Sequence, residues 1–282
     1  MNGPSRRRRL WDSTRSTVVA IVIGLAILVA GGAVSGALMF ANLKLMPELP
    51  LFFPGTVLWL WLFLCHARGD GWPKRTSRFR RESVRASGLS ARAWAWALLA
   101  GGLALTAVMG VAFVTYRFAS LPEAAYSAPF EVAGLPPWTL VSVFASLALT
   151  AGVVEETAFR GYMLSGLERQ HGWTIGIALV TAVFYASHLS HAYATAVFVP
   201  FFVLHGVVFG LLVYFTRSIV PGIVLHAVSD FVVLPMQYNA IASASQWAFV
   251  SQGWLSLIAT AAAIPVFRQL ARTMRTERSD AA

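Results

Sequence analysis

Cysteine is nearly absent from this chain. Cys65 stands alone in 282 residues, which excludes an intrachain disulfide and a cysteine-built zinc site. Charge is scarce too. Only 12% of the residues are Asp, Glu, Lys or Arg, where a soluble domain carries about 25%. Several short catalytic signatures are missing. There is no His-Glu-x-x-His, so no zincin-type site is indicated. There is no Gly-x-Ser-x-Gly of a serine hydrolase, and no Gly-rich phosphate loop. No stretch alternates apolar and polar residues with the period of a strand.

What the chain has instead is hydrocarbon. Hydrophobic residues make up 57%, and the mean hydropathy is +0.65. Lipid admits only helices or closed barrels, and long apolar runs without alternation are helices. The composition therefore predicts an all-α polytopic membrane protein, a bundle of about eight transmembrane helices. The runs fall near 17–41, 51–66, 93–118, 138 onward through Glu155, 173–188, 197–215, 219–234 and 247–267. The first is too long for the h-region of a signal peptide. It carries Gly32 and Gly36, and the sixth run carries Gly206 and Gly210. That small-xxx-small spacing predicts close helix approach in both.

Lys and Arg number 22 against 12 Asp and Glu, a net charge of +10. The basic residues sit at the ends of apolar runs, which is a topology signal and not a nucleic-acid surface. They crowd into residues 1–16, the loop 68–92, Arg169, Arg217 and the C-terminal tail, while the opposite side holds only Lys44 and Arg117. The pattern predicts cytoplasmic N- and C-termini in a bacterial cell membrane, with the basic clusters touching lipid headgroups. The organisation read from this is a basic tail over 1–16, helices one to three over 17–137 with the basic loop 68–92, a core of helices four to seven over 138–235, and the last helix with its tail over 236–282.

Polar residues interrupt that core. Glu155-Glu156-Thr157-Ala158-Phe159-Arg160 lies on helix four. A charge near the middle of a membrane helix costs roughly 2.5–3.5 kcal/mol on insertion scales, so three in six residues are not filler. Glu156 and Arg160 are four apart and share a face, which predicts a structural ion pair. Glu155 points about 100° away and is left without that partner. His188 closes Phe184-Tyr185-Ala186-Ser187-His188 on helix five. With the turn near His171-Gly172, Glu155 and His188 fall at nearly equal depth, both roughly 24–26 Å from the turn at 1.5 Å per residue. His226 and Asp230 are four apart on helix seven. His205 and His191 are weaker candidates, and His66 and His171 weaker still.

One Glu, two His and one Asp from three helices are enough to activate water, and two chemistries fit. In one, His188, His226 and a carboxylate, Glu155 or Asp230, bind Zn²⁺, which lowers the pKa of its water. In the other, Glu155 with His188 activates water directly while His226 with Asp230 polarises the carbonyl.

At these residues the sequence resembles the CPBP family of CAAX proteases, bacteriocin-processing and Abi proteins. Its pattern of Glu-Glu-x-x-x-Arg, Phe-x-x-x-His and His-x-x-x-Asn/Asp on successive helices reads here as Glu155 to Arg160, Phe184 to His188 and His226 to Asp230. The resemblance implies an intramembrane endopeptidase acting on membrane-associated peptides or proteins, its site open to the cytoplasm. It makes Glu155 and His188 the water-activating pair and His226 with Asp230 the oxyanion site. The family is described both as metalloproteases and as glutamate proteases, and the sequence leaves that choice open. Asp230 stands where the prenyl-protein proteases carry Asn, and an ionised Asp accepts hydrogen bonds but donates none. The rival expectation is a non-catalytic scaffold or immunity-type membrane protein that binds a partner.

Overall fold

The fold follows from the apolar runs and from what ends each of them. In the computed structural model, residues 6–119, 121–122, 134–239 and 246–280 are described, with side chains for 14–119, 121–122, 134–235 and 250–280. Glu123 and Glu131, between α4 and α5, and the side chains of Arg6 to Arg9 lie outside the described residues.

The chain is all-α. Its helices are α1 (Arg6–Leu45), α2 (Phe52–Ala67), α3 (Ser77–Val84), α4 (Ala91–Phe118), α5 (Pro137–Thr150), α6 (Leu164–Ser187), α7 (Val199–Thr216), α8 (Val220–Asn239) and α9 (Gln246–Asp280). A π-helical segment, Ala151–Met163, joins α5 to α6 without a break. Five described helical stretches are long and apolar enough to cross a membrane, and α2 and residues 220–235 are shorter apolar helices.

The stretch 137–187 is two helical arms that fold back on each other at Gly172. Gly172 has φ 75° and ψ 169°, a conformation that costs glycine little and other residues much. The reversal is visible downstream, where a Cβ on Gly176 would sit 3.2 Å from the Glu168 nitrogen. It makes a hairpin of two arms, with Phe159 of the first meeting Phe184 of the second edge-to-face at 5.2 Å. The sequence places the turn here, and the ring pair fixes the register of the arms.

Other ends obey familiar rules. Ser90 caps α4 by accepting from the Ala93 nitrogen at 3.0 Å. Pro137 opens α5 at the first turn, where its missing N–H is not needed. Helix α3 is an addition to the expected architecture. It lies within the basic loop and packs on the π-helical segment, with Val84 fully buried. Arg80 is buried beneath it and donates to the Gly71 and Pro73 carbonyls at 2.8 and 3.2 Å.

The core gathers around the hairpin. Helix α1 lies along the π-helical segment, α8 crosses it, and α4 pairs with α9. The expected close approach at Gly206 and Gly210 is present, since a Cβ on Gly210 would meet Ile177 at 2.9 Å. The expectation for Gly32 and Gly36 is corrected, because neither has a neighbour within 4 Å. In α1 the approach is made by Gly24 and Gly31, whose Cβ atoms would meet Met163 and Val154 at 2.6 Å. Spacing marks a small-residue face, but the partner's position decides which glycines it uses.

Candidate active site

The π-helical segment carries the first motif. An i→i+5 helix is rare and marks functional segments more often than chance, and here it runs from Ala151 to Met163. Glu156 and Arg160 within it are completely buried. Arg160 donates to Glu156 Oε1 at 3.0 Å. Its guanidinium lies over Phe184 at 4.7 Å, Phe209 at 5.1 Å and Phe159 at 5.9 Å. A cation held between one carboxylate and three aromatic faces is tolerated away from water. Room for that carboxylate depends on Gly222 of α8, where a Cβ would come 3.0 Å from Glu156 Oε2.

Glu156 also fixes His226. His226 Nδ1 lies 2.9 Å from the same Oε1. An ionised carboxylate only accepts, so Nδ1 carries the proton and donates. That leaves Nε2 facing the other carboxylates, 3.6 Å from Asp230 Oδ2 and 3.9 Å from Glu155 Oε2. One ring thus connects both glutamates of the first motif to the aspartate of the third.

Glu155 differs from its neighbour. Its side chain is 20% exposed where that of Glu156 is 0%. Its Oε2 is buried with no hydrogen-bond partner among the described residues. His188 ends the second arm as the C-cap of α6. Its Nδ1 lies 2.8 Å from the Phe184 carbonyl, which only accepts, so the proton is on Nδ1 and the neutral ring has its lone pair on Nε2. Glu155, His188, His226 and Asp230 all line a single cavity of about 280 Å³.

Aromatic rings from α4, from α7 and from the turn before α7 complete the walls, with Tyr116 and Phe198 edge-to-face at 5.0 Å. His205 of α7 also lines the cavity. It stacks on Phe184 at 5.4 Å and meets the His226 ring at 5.2 Å, with its Nδ1 buried and unpartnered among the described residues. His191 follows in the loop, its ring 5.7 Å from that of His188. Burial, and then the neighbouring His188, hold the His191 imidazole below its ordinary pKa. His171 sits far off, hydrogen-bonded to Thr17 at 2.7 Å.

As placed, the described side chains do not converge on a metal site. Among the described residues, no group of three or more His, Cys, Asp and Glu has an arrangement that could hold an ion. Zinc needs ligand nitrogens and oxygens converging at about 2.0–2.2 Å. No such convergence of three side chains is present among the described residues, where His226 Nδ1 is engaged by Glu156.

Residues 137–232 match the family model named Rce1-like, described as type II CAAX prenyl endopeptidase Rce1-like. This segment, about a third of the chain, is similar to CAAX prenyl endopeptidases. The matched residues run from the start of α5 into α8 and contain all three motifs. No curated protein and no solved structure matches the chain.

In this segment the structure brings together every residue singled out from the three motifs. It adds three features that sequence reasoning missed or undervalued. The π-helical register of 151–163 leaves no mark in residue types. Gly222 gives no sign beyond being a glycine in a helix, and its meaning comes from the carboxylate beside it. His205 did carry a signal, as a histidine facing a small residue in an otherwise apolar run, but only its ring contacts tie it to the site.

Proposed function

We propose that the chain is an intramembrane endopeptidase that hydrolyses peptide bonds in membrane-associated peptides or proteins with water activated by Glu155 and His188. One observation carries the reading. Glu155 lines the cavity that His188, His226 and Asp230 share, with a buried oxygen that has no hydrogen-bond partner among the described residues, while Glu156 holds Arg160 and His226 through Oε1 and does not line that cavity.

In this mechanism His188 Nε2 accepts a hydrogen bond from water and orients it. Glu155 takes the water's proton, and the oxygen attacks the scissile carbonyl carbon. The carbonyl electron pair moves to oxygen, and His226, when its Nε2 carries a proton, donates to that oxyanion. Collapse breaks the C–N bond as the leaving nitrogen receives the proton held by Glu155. Glu156 is a positioning residue, since it holds Arg160 and sets the tautomer of His226. No step passes through a metal.

The test uses the full chain in lipid vesicles with quenched peptide libraries, one farnesylated at a C-terminal cysteine and one unmodified. Wild type should cleave at least one library, chelator should leave the rate unchanged, and Glu155→Gln should lower it by at least about 10²-fold, as loss of a general base does. Absence of cleavage by wild type would overturn the protease reading in favour of a scaffold. Full activity in Glu155→Gln would overturn the assignment of the base.

A further inference from the structure

His205 is the one polar side chain in the run from Val199 to Val213, and no step of the mechanism uses it. It stands in the wall of the cavity that Glu155 and His188 line, 5% exposed. Packing sets its place. Gly206 lets α7 close on α6, because a Cβ there would collide with Thr181. The imidazole lies parallel to Phe184 at 5.4 Å and meets Phe209 at 4.6 Å and Phe201 at 5.7 Å. Any aromatic ring could make those contacts. What distinguishes histidine is its nitrogens, and the packing does not use them. Nδ1 is buried with no hydrogen-bond partner among the described residues. A buried polar atom left unpaired destabilises a fold, so a phenyl ring would pack here at less cost.

The tautomer follows from that enclosure. A neutral imidazole has one N–H and one lone pair, and a buried donor is orphaned less often than a buried acceptor. Nδ1 therefore keeps the lone pair, and the N–H is on Nε2, which is left to face the cavity.

The developing oxyanion needs such a donor. His226 spends Nδ1–H on Glu156, so it reaches the oxyanion only when Nε2 is protonated as well. Asp230, when ionised, accepts and cannot donate. His205 donates as a neutral ring, with no proton to gain first. Its ring centre lies 5.2 Å from that of His226, the two planes at 74°. One oxygen can thus stand about 2.9 Å from a nitrogen of each ring.

We infer that His205 is a further catalytic residue, whose Nε2–H is the second donor to the carbonyl oxygen of the scissile bond. As the water oxygen adds to the carbonyl carbon, the C=O electron pair moves to oxygen. The His205 hydrogen bond strengthens there without passing its proton. On collapse the pair returns to re-form C=O, the C–N bond breaks, and His205 keeps its N–H. The inference rests on the protease reading of this cavity.

The test uses the full chain in lipid vesicles, with the quenched library that wild type cleaves and three variants. His205→Phe keeps a stacked ring and removes both nitrogens. His205→Gln places an amide N–H near the position of Nε2, and His205→Asn places one near that of Nδ1. His205→Phe and His205→Asn should lower kcat by about 10²–10³-fold, as loss of one oxyanion donor does, with KM little changed. His205→Gln should recover at least about tenfold of that loss. His205→Phe should melt at or above wild type, which separates lost rate from lost fold. Wild-type kcat in His205→Phe overturns the inference and leaves the protease reading standing. Should His205→Phe melt below wild type, the ratio of kcat between His205→Gln and His205→Asn decides, and a ratio near one overturns the inference. A wild type that cleaves neither library removes the protease reading, and this inference with it.

Discussion

Replacing Glu156 by Gln removes one charge and almost no volume, and the structure sets the size of the effect. Glu156 and Arg160 are both 0% exposed. The carboxylate accepts from Arg160 at 3.0 Å and from His226 at 2.9 Å through one oxygen. Gln still offers an amide oxygen, but the guanidinium loses its counter-charge in a setting that water does not reach. Stranding a buried charge in this way costs about 3–5 kcal/mol. The three aromatic faces around Arg160 remain and retain about 2 kcal/mol of cation–π stabilisation. At about 2–4 °C per kcal/mol, the expected fall in Tm is roughly 10 °C. The comparison is Glu155→Gln, whose side chain is partly exposed and whose Oε2 has no hydrogen-bond partner among the described residues. It should keep the wild-type Tm and lose cleavage. The assay is size-exclusion yield and thermal unfolding in one detergent, beside cleavage in vesicles. A Glu156→Gln protein that melts with wild type, or a Glu155→Gln protein that melts well below it, refutes the division into strut and base.

Two further variants probe the same geometry. Gly222→Ala puts a methyl group 3.0 Å from Glu156 Oε2 and should cost about 1–3 kcal/mol by overpacking, read as a lower Tm. Gly31→Ala should be destabilising, while Gly32→Ala, with no neighbour within 4 Å, should be neutral or gain up to about 1 kcal/mol of helix propensity; the reverse order would mean that α1 is packed on its other face. Asp230→Asn separates the two chemistries. An amide donor 3.6 Å from His226 Nε2 should keep cleavage within about tenfold of wild type and insensitive to chelator, since oxyanion donors are worth about 10²–10³ in rate; lost activity together with lost bound zinc would make Asp230 a ligand.

How much of this was legible depends on which interactions write themselves into residue types. Helix existence was legible, because runs such as 93–118 have no reading other than a span. The hairpin was legible at Gly172, and the equal depth of Glu155 and His188 followed from counting. Helix α3 was not, because its few apolar residues, Phe79 and Val84, give no period amid six basic neighbours and its burial comes from the π-helical segment beneath. Gly32 and Gly36 show the opposite error. A small-xxx-small pattern is a statement about one helix, while close approach is a property of two. The π-helical register was out of reach because i→i+4 and i→i+5 ladders use the same residues. Packing against α1 and α8 at Gly31 and Gly152 accompanies it, and neither contact is local in sequence.

Adjacent carboxylates on one helix normally share an environment, and here they do not. A buried ion pair is weak evidence for stability, since apolar replacements of similar volume are often as stable. The Glu156–Arg160 pair is therefore poorly explained as glue alone. Its geometry offers a better account. Glu156 Oε1 is pinned by Arg160, and that pinned oxygen is the acceptor for His226 Nδ1. The pair thereby fixes the ring so that Nε2 stands between Glu155 and Asp230. This is how an outer hydrogen bond sets the tautomer and aim of a working imidazole. With that position filled by Glu156, the neighbouring carboxylate keeps an oxygen free for water. Under the proposed mechanism the doubled glutamate has a reason, because one residue cannot both anchor His226 and move a proton.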